Sequence, residues 1–321
     1  MAPVSEAFDV VVVGGGLAGV TAGLFSARCG RSTLVLVPLA PGGELLNIES
    51  IEDFPGFPEG VSGFQLCPAI QEQADRYGAT MRMGEVELLQ QSAGGWTVVA
   101  EDEYLARTVI LATGTRMRTL DIPGEEELTG SGVSHCASCD GPLFSGATVG
   151  VVGGGDSALQ EALTLAGHAE RVIVFNRGNA LRAQETYRQR VSEHPAIEIK
   201  MNALVEEILG DGAVSGVRVR DAVSNQLEDI DLGGVFVFVG REPESGLVEG
   251  LAELDETGRV LVDSTLATTA PGLFAAGDVR SGSSGQAVSA AGDGAAAAMA
   301  AHRFLREQER LTAAGSLEAI K

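Results

Sequence analysis

The sequence predicts an α/β protein of two three-layer, Rossmann-like domains, with the second inserted into the first. Residues 8–13 form a run of strand length that is apolar except for Asp9, followed by a glycine cluster, a helical pattern and another strand. The same order of elements returns about 140 residues later. Continuous apolar runs are typical of strands buried on both faces of a parallel sheet, and a glycine turn between strand and helix is typical of nucleotide-binding units.

The length of 321 residues is sufficient for two domains. Hydrophobic residues make up 45% and charged residues 21%, as is typical of soluble globular proteins. The net charge of −22 argues against nucleic acid or an anionic membrane surface as a partner. Neither an 18-residue apolar run nor a secretory signal is recognised, so we expect a cytoplasmic protein without membrane contact.

The first glycine cluster has the spacing that binds a dinucleotide. A helix is predicted at residues 17–29 and a strand at residues 33–37. Gly14 permits the tight turn, Gly16 lets backbone amides approach a pyrophosphate, and Gly19 lets the helix pack closely on the strand. The N-terminus of the helix then faces the phosphate charge.

The second cluster repeats this arrangement. Strands are predicted at residues 148–152 and 171–175, with a helix at residues 156–167 between them. Gly153, Gly155 and Ala158 occupy the three positions that require small residues. Two such units in one chain indicate two nucleotide-binding domains.

Later segments complete the predicted sheets. We predict a strand at residues 235–239, a strand ending in Gly-Asp at residues 273–278, and a helix at residues 287–305. The first glycine unit has no predicted sheet partner on its C-terminal side before residue 260, which favours an inserted second domain. The predicted first domain comprises residues 1–117 and 245–321, the second residues 118–244, and the connections residues 116–123 and 240–246.

Cys136 and Cys139 form a close-spaced pair between the two glycine units. Cys29 and Cys67 are predicted to be small buried hydrophobic residues. A zinc site would need further ligands, and only His135 is near, so no metal is predicted. A dithiol between two nucleotide-binding units indicates electron transfer from nucleotide through flavin to a disulfide. A thiol in such a motif can have its pKa lowered from about 8.5 to around 7.

These motifs together closely resemble those of the low-molecular-weight thioredoxin reductases, over nearly the whole chain. The resemblance implies bound FAD and a nicotinamide donor, NADPH or NADH. The implied cofactor-binding residues of the first domain are Gly14, Gly16, Leu17, Ala18, Gly19, Gly42, Gly43, Glu44, Leu45, Asn47, Asp53, Val86, Ala112, Thr113, Gly114, Gly277, Asp278, Gln286 and Ala287. Those of the second domain are Gly153, Gly155, Asp156, Ser157, Ala158, Arg177 and Arg182.

The resemblance also implies the roles of the residues around the dithiol. Cys139 would face the flavin, Cys136 would attack the disulfide of thioredoxin or a similar small partner, and Asp140 would donate and accept protons. Asp140 could instead, or in addition, cap a helix. His135 could handle protons or serve in packing and capping. The family implies a homodimer whose two domains rotate against one another about the connections.

One departure from the family pattern leaves the electron donor open. Family members that use NADPH carry His-Arg-Arg after the second strand of the second unit and another arginine four residues beyond. In this chain Asn176, Arg177, Gly178 and Arg182 stand at these positions, so one arginine of the phosphate clamp is missing. The alternatives are a ferredoxin or flavin donor, a small-molecule dithiol oxidase that uses oxygen, or a flavin-binding protein without turnover.

Overall fold

The computed structural model describes residues 6–318, and the chain divides into two compact units. The first unit comprises Met1–Arg116 and Glu242–Lys321, and the second comprises Met117–Arg241. Each unit contains its own sheet with a core of parallel strands. The predicted α/β class with two Rossmann-like sheets is confirmed. Between residues 6 and 318, no helix is both long and apolar enough to cross a membrane.

Between residues 6 and 318, β-strands outnumber helices. The strands are β1 (Glu6–Val13), β2 (Thr33–Val37), β3 (Thr80–Met83), β4 (Leu88–Ser92), β5 (Gly95–Val99), β6 (Glu103–Leu111), β7 (Thr115–Met117), β8 (Val133–Ser134), β9 (Thr148–Val152), β10 (Arg171–Asn176), β11 (Ile197–Met201), β12 (Ala203–Gly210), β13 (Val214–Asp221), β14 (Leu227–Asp231), β15 (Gly234–Val237), β16 (Arg241–Pro243) and β17 (Leu273–Ala275). The α-helices are α1 (Leu17–Arg28), α2 (Gly63–Arg76), α3 (Ala137–Asp140), α4 (Asp156–Leu165), α5 (Glu185–Glu193) and α6 (Ala287–Glu318). Short 3-10 helices lie at Gly43–Asn47, Gly141–Phe144, Gly246–Val248 and Gly277–Val279.

The sheet of the first unit has the strand order β3-β2-β1-β6-β5-β4, and β17 also pairs with β6. The expectation that β1 has no partner on that side before residue 260 is wrong, because β6 pairs with β1 from Tyr104 to Leu111. The first half of β6 alternates exposed and buried residues and contains Glu103 and Arg107. It therefore lacks the largely apolar run from which β1, β2, β9 and β10 are predicted.

β6 has two different partners on its other edge. Its first half pairs with β5 in antiparallel fashion, and Val109 to Leu111 pair with β17 in parallel. β1, β6 and β17 therefore run side by side and end at one edge of the sheet. In parallel α/β sheets the carboxyl ends of the strands form the ligand-binding edge.

Both faces of this sheet are buried. Val10 and Val12 belong to a core cluster that contains α1 and α6 residues. Val11 and Val13 face the other way, into a cluster with Trp96. Because successive side chains of a strand point to opposite faces, burial of both faces requires every residue of the run to be apolar.

The second unit has a parallel sheet with the order β11-β10-β9-β15-β8. One face packs against α4, with Leu159 and Leu165 in the same cluster as Val149. The other face packs against the antiparallel sheet β12-β13-β14, whose Val217 clusters with Phe175. This gives three layers: a helical layer, the parallel sheet and the antiparallel sheet.

The segments where the chain passes between the units are also ordered. β7 and β16 form a two-stranded sheet. Within the second unit, the Arg118 amide donates to the Gly240 carbonyl at 3.0 Å. Within the first unit, Arg116 pairs with Glu242 at 3.1 Å.

Candidate active site and cofactor-binding turns

Of the three motif glycines after β1, two have no room for a side chain and one faces open space. Gly14 has a φ of +109°, and a Cβ there would lie 2.3 Å from the Ala112 carbonyl oxygen. A Cβ at Gly19 would lie 1.9 Å from the Gly14 oxygen. At Gly16, by contrast, a Cβ would meet no atom within 4 Å.

Gly16 is also the N-cap residue of α1 and makes no side-chain cap. The first amides of α1 therefore border an open space, which is the arrangement that binds a pyrophosphate. The turn fits the dinucleotide predicted for it.

A second loop with two glycines lies against this turn. Gly42 forms a parallel bridge with Gly16, and its amide donates to the Gly15 carbonyl at 2.7 Å. A Cβ at Gly43 would lie 3.1 Å from the Gly16 Cα. The predicted residues Glu44, Leu45 and Asn47 follow in the 3-10 helix. The structure thus brings the 42–47 segment to the predicted phosphate site.

The end of β17 meets the same turn. Gly277 has a φ of +78°, and a Cβ there would lie 2.9 Å from the Cβ of Ala18, in the first turn of α1. The Asp278 carboxylate accepts a hydrogen bond from the Ser283 hydroxyl at 2.7 Å. Four predicted segments therefore lie near one another: residues 14–19, 42–47, 112–114 and 277–278. Ala287 is the first residue of α6, and Gln286 directly precedes it.

Two further predicted residues lie outside this group. Val86 is buried in the hydrophobic cluster that also contains Leu34 and Leu36. Asp53 is exposed in the segment between the 3-10 helix and α2. A cofactor contact of either residue stays a prediction.

The glycine turn of the second unit repeats the pattern of closed and open positions. Gly153 has a φ of +146°, and a Cβ there would lie 2.3 Å from the Phe238 oxygen and 2.9 Å from the Ala158 Cβ. Gly155 is the N-cap residue of α4, makes no side-chain cap, and has nothing within 4 Å of an added Cβ. Ser157 is in the first turn of α4, which thus has the same open N-terminus as α1.

The segment after β10 folds over this second turn. Asn176, 7% exposed, donates from its side-chain amide to the Gly178 oxygen at 2.9 Å and the Ala180 oxygen at 3.1 Å. The Arg182 amide donates to the Gly154 oxygen at 2.7 Å. Asn176 therefore fixes the segment from within, a role that its sequence position alone did not indicate.

The same segment is tied to the start of α4. The Asp156 carboxylate accepts from the Gln184 amide at 2.7 Å and from its side-chain nitrogen at 2.9 Å. Asp156 therefore holds the segment in place next to the glycine turn. Arg177 and Arg182 are exposed on this segment.

The redox pair lies at the single turn of α3, with Cys136 directly before the turn and Cys139 within it. Cys136 and Cys139 form a disulfide, with their Cα atoms 5.3 Å apart. Cys136 is partly buried and is the N-cap of α3, and its sulfur accepts from the Cys139 amide at 3.2 Å. Cys139 is exposed. In the reduced state, an amide directed at the Cys136 sulfur favours its thiolate form.

Asp140 is connected to Cys136 through one hydroxyl. The Ser134 hydroxyl donates to the Asp140 carboxylate at 2.6 Å, and the Cys136 amide donates to the same hydroxyl oxygen at 3.0 Å. Asp140 makes no side-chain cap to the helix that follows it. The capping alternative is therefore wrong for this carboxylate, which is directed towards Ser134.

His135 has a defined partner. Its Nδ1 lies 3.0 Å from the Val237 oxygen. Because a carbonyl only accepts, Nδ1 carries the proton in this contact, and Nε2 is the basic nitrogen of the neutral ring. The contact ties His135 to the C-terminal end of β15.

The other cysteines lie in the first unit. Cys67 is 4% exposed, and burial raises the pKa of its thiol to about 11. It lies inside α2. Cys29 is only partly buried, contrary to expectation, and its sulfur lies 3.6 Å from the Met299 sulfur.

Comparison with known proteins gives consistent matches. The model of the pyridine nucleotide-disulphide oxidoreductase family matches residues 8–294. A thioredoxin reductase of Mycolicibacterium smegmatis is 43% identical over 94% of this chain and 97% of its own length. The thioredoxin reductase of Treponema pallidum is 38% identical over 93% and 97%. The crystal structure of Lactococcus lactis thioredoxin reductase in the FR conformation matches with a TM-score of 0.91 at 37% identity, over 94% of this chain and 99% of that one.

Proposed function

Because the chain belongs to the pyridine nucleotide-disulphide oxidoreductase family and is a flavin-dependent disulfide oxidoreductase, we propose that it acts as a thioredoxin reductase. It would take electrons from NADPH and reduce the disulfide of thioredoxin or a similar small protein. The observation that carries this proposal is the Cys136–Cys139 disulfide, connected through Ser134 to Asp140, on the unit with the second open glycine turn.

FAD would be held by the first unit. The amides at the start of α1, opened by Gly16, would bind the pyrophosphate, and Gly42 and Gly43 would allow close backbone approach beside it. Asp278, oriented by Ser283, would bind the ribityl chain. When bound, FAD supplies the exchange of an electron pair between nicotinamide and disulfide.

The reduced cysteines would act by thiol–disulfide exchange. The Cys136 thiolate attacks one sulfur of the partner disulfide, forming a mixed disulfide and releasing the other partner sulfur as a thiolate. The Cys139 thiolate then attacks the Cys136 sulfur, which restores the Cys136–Cys139 disulfide and releases the second partner thiolate. The partner gains two electrons and, after protonation, two hydrogens.

Asp140 would supply and remove the protons that this exchange needs. Its carboxylate lies next to Cys139 in sequence and is hydrogen-bonded through Ser134 to the Cys136 amide. A positioned carboxyl group of this kind can protonate a leaving thiolate and take the proton back in the reverse direction.

NADPH is favoured as the donor by the residues around the second turn. An enzyme specific for NAD commonly places a carboxylate near the end of the second strand, where it binds the ribose hydroxyl. In this chain Asn176 ends β10, and its amide is engaged with the segment that follows. Arg177 and Arg182 are exposed on that segment and are suited to a 2′-phosphate.

The open turn at Gly155 and the presence of Asp140 favour this proposal over the alternatives. A ferredoxin-dependent reductase or a dithiol oxidase would not need a second nucleotide site, and a flavin-binding protein without turnover would not need the dithiol. We further propose a homodimer that acts in the cytoplasm, where thiols are kept reduced.

The test is an anaerobic stopped-flow titration followed by steady-state turnover. NADPH should bleach the flavin of the purified enzyme faster than NADH, and NADPH oxidation should then depend on added oxidised thioredoxin. Cys136→Ser and Cys139→Ser should each retain FAD and lose turnover, whereas the control Cys29→Ser should keep both. If neither NADPH nor NADH reduces the flavin, a nicotinamide electron donor is excluded. If Cys139→Ser retains turnover, the catalytic role of the Cys136–Cys139 pair is excluded.

A further inference from the structure

A buried ion pair lies behind the predicted ribityl-binding turn of the first unit. Asp293 is in the second turn of α6, and Arg280 directly follows the 3-10 helix Gly277–Val279. Arg280 Nε donates to Asp293 Oδ2 at 2.6 Å, and Nη2 donates to Oδ1 at 2.8 Å. The side chains are only 16% and 11% exposed. A guanidinium that donates two hydrogen bonds to one little-exposed carboxylate makes a strong and directional contact, and loss of either partner leaves an uncompensated charge.

The Asp293 carboxylate also binds the turn itself. The Gly277 amide donates to Asp293 Oδ2 at 3.0 Å, so this oxygen accepts from both Gly277 and Arg280. Arg280 further donates to the Ser281 carbonyl at 3.0 Å. One carboxylate thus fixes both the turn and the start of the segment that leads from the turn to α6.

The residue after Asp293 brings α6 against the pyrophosphate-binding helix. A Cβ at Gly294 would lie 2.1 Å from the Ala18 carbonyl oxygen, and a Cβ at Gly277 would lie 2.9 Å from the Ala18 Cβ. Asp293 is therefore located where α6, the first turn of α1 and the Gly277 turn meet. These are three of the parts from which the FAD site would be built.

We propose that the Arg280–Asp293 pair positions FAD: it fixes the Gly277 turn against α1, so that Asp278 and the α1 amides are directed at the cofactor together. The two residues act through Gly277 and the backbone of the turn. This inference rests on the proposed function, because it assigns the pair to the FAD site of that enzyme.

Two double variants test the proposal without leaving a buried charge unpaired. Arg280→Met/Asp293→Asn removes the ion pair and keeps an acceptor for the Gly277 amide, whereas Arg280→Met/Asp293→Ala removes this acceptor as well. Glu307→Gln is the control, because it breaks an ion pair with Arg310 on the same helix that is exposed. The FAD dissociation constant of each FAD-free protein is measured by fluorescence titration, with folding checked by far-ultraviolet circular dichroism.

We expect FAD affinity to fall in steps. The asparagine variant should bind about tenfold more weakly than the native protein, and the alanine variant about tenfold more weakly again, since each lost hydrogen-bonding group costs about a factor of ten. At saturating FAD, the visible circular dichroism spectrum of the bound flavin should differ from that of the native protein in the alanine variant and be close to it in the asparagine variant. The control should match the native protein.

Equal FAD affinity in both double variants and the native protein, with only thermal stability lowered, would overturn the inference and leave the pair a purely structural contact. If the alanine variant does not fold, the comparison of the asparagine variant with the native protein decides the same question. A native protein that reduces thioredoxin while the variants bind FAD equally would refute the inference alone. A native protein that binds no FAD would refute the proposed function as well.

Discussion

The close crossing of α6 and α1 predicts opposite outcomes for two glycines of one helix. Gly292 and Gly294 both lie in α6, where replacing glycine by alanine normally stabilises a helix by about 1 kcal/mol. A Cβ at Gly292 would meet no atom within 4 Å, so Gly292→Ala should give this gain. A Cβ at Gly294 would lie 2.1 Å from the Ala18 oxygen, 3.0 Å from its carbonyl carbon and 3.0 Å from the Ala22 nitrogen.

The atoms that crowd position 294 all belong to the backbone of α1, so no side-chain rotation can relieve the contact. The helices would have to separate by about 1 Å, and overpacking of this kind costs about 1–3 kcal/mol. After the helix-propensity gain, Gly294→Ala should be destabilising by up to about 2 kcal/mol. The two variants should therefore differ by about 1–3 kcal/mol.

Thermal unfolding of the two variants and the native protein measures this difference. For domains of about 150–250 residues, 1 kcal/mol shifts the Tm by roughly 2–4 °C, so the variants should be separated by roughly 2–12 °C with the native protein between them. Unfolding is followed by far-ultraviolet circular dichroism at one fixed saturating FAD concentration, and the FAD dissociation constant of each protein gives the part of the Tm shift that comes from ligand binding. If Gly294→Ala is as stable as Gly292→Ala, the close helix crossing is refuted.

Three further predictions concern other parts of the chain. Gly178→Arg should raise the preference for NADPH over NADH, because a Cβ there would meet no atom nearer than 3.8 Å and the new guanidinium would complete the phosphate clamp. The ratio of the kcat/KM values for NADPH and NADH measures this preference, with Gly178→Ala as the control. An unchanged ratio would contradict the assignment of this segment to the 2′-phosphate. Hydrogen bonds from Arg31 and Arg107 lower the pKa of Glu309 from 4.5 to about 2, so its stabilisation is fully present above about pH 4.5 and is lost as the pH falls towards 2. Glu309→Gln should accordingly lower the Tm at pH 7 and approach the native Tm at acid pH, and a difference independent of pH would be inconsistent with this ion pair. Cys67, with its pKa near 11, should have about one thiol in a thousand ionised at pH 8, so iodoacetamide should modify it far more slowly than the partly exposed Cys29, as mass spectrometry of the two peptides would show.

The strands that were readable from the sequence are those buried on both faces. β1 from Val10 onward, β2 and β9 are predominantly apolar because helices or a second sheet cover each side of the parallel strands, and their bounds could be predicted closely. β6 was not predicted as the partner of β1, because its first half is covered on one face only and its residues therefore alternate between exposed and buried. α6 continues past the predicted end at residue 305 to Glu318. The prediction ended too early because the residues after Leu305 are mostly polar and show no apolar periodicity.

In the candidate site, too, some residues could be predicted from the sequence and others could not. Glycines that must be small because backbone passes close to them, such as Gly14 and Gly153, were evident from their spacing. Asn176 and Asp293 were not, because their partners are identified only once the loops have folded. A buried asparagine or aspartate has no sequence period that distinguishes it from an exposed one.

The double pairing of β6 has a consequence for how the chain folds during synthesis. β17, which completes the edge of the first sheet, follows the whole of Met117–Arg241 in the chain. A ribosome therefore releases the complete second unit before the last strand and the long final helix of the first unit exist. Since domains tend to fold as units while the chain emerges, the second unit can reach its native state early. The first must wait as an incomplete sheet, in which Val109–Leu111 of β6 pair with β1 on one edge and have no partner on the other. That interval is when the nascent chain most needs protection by chaperones.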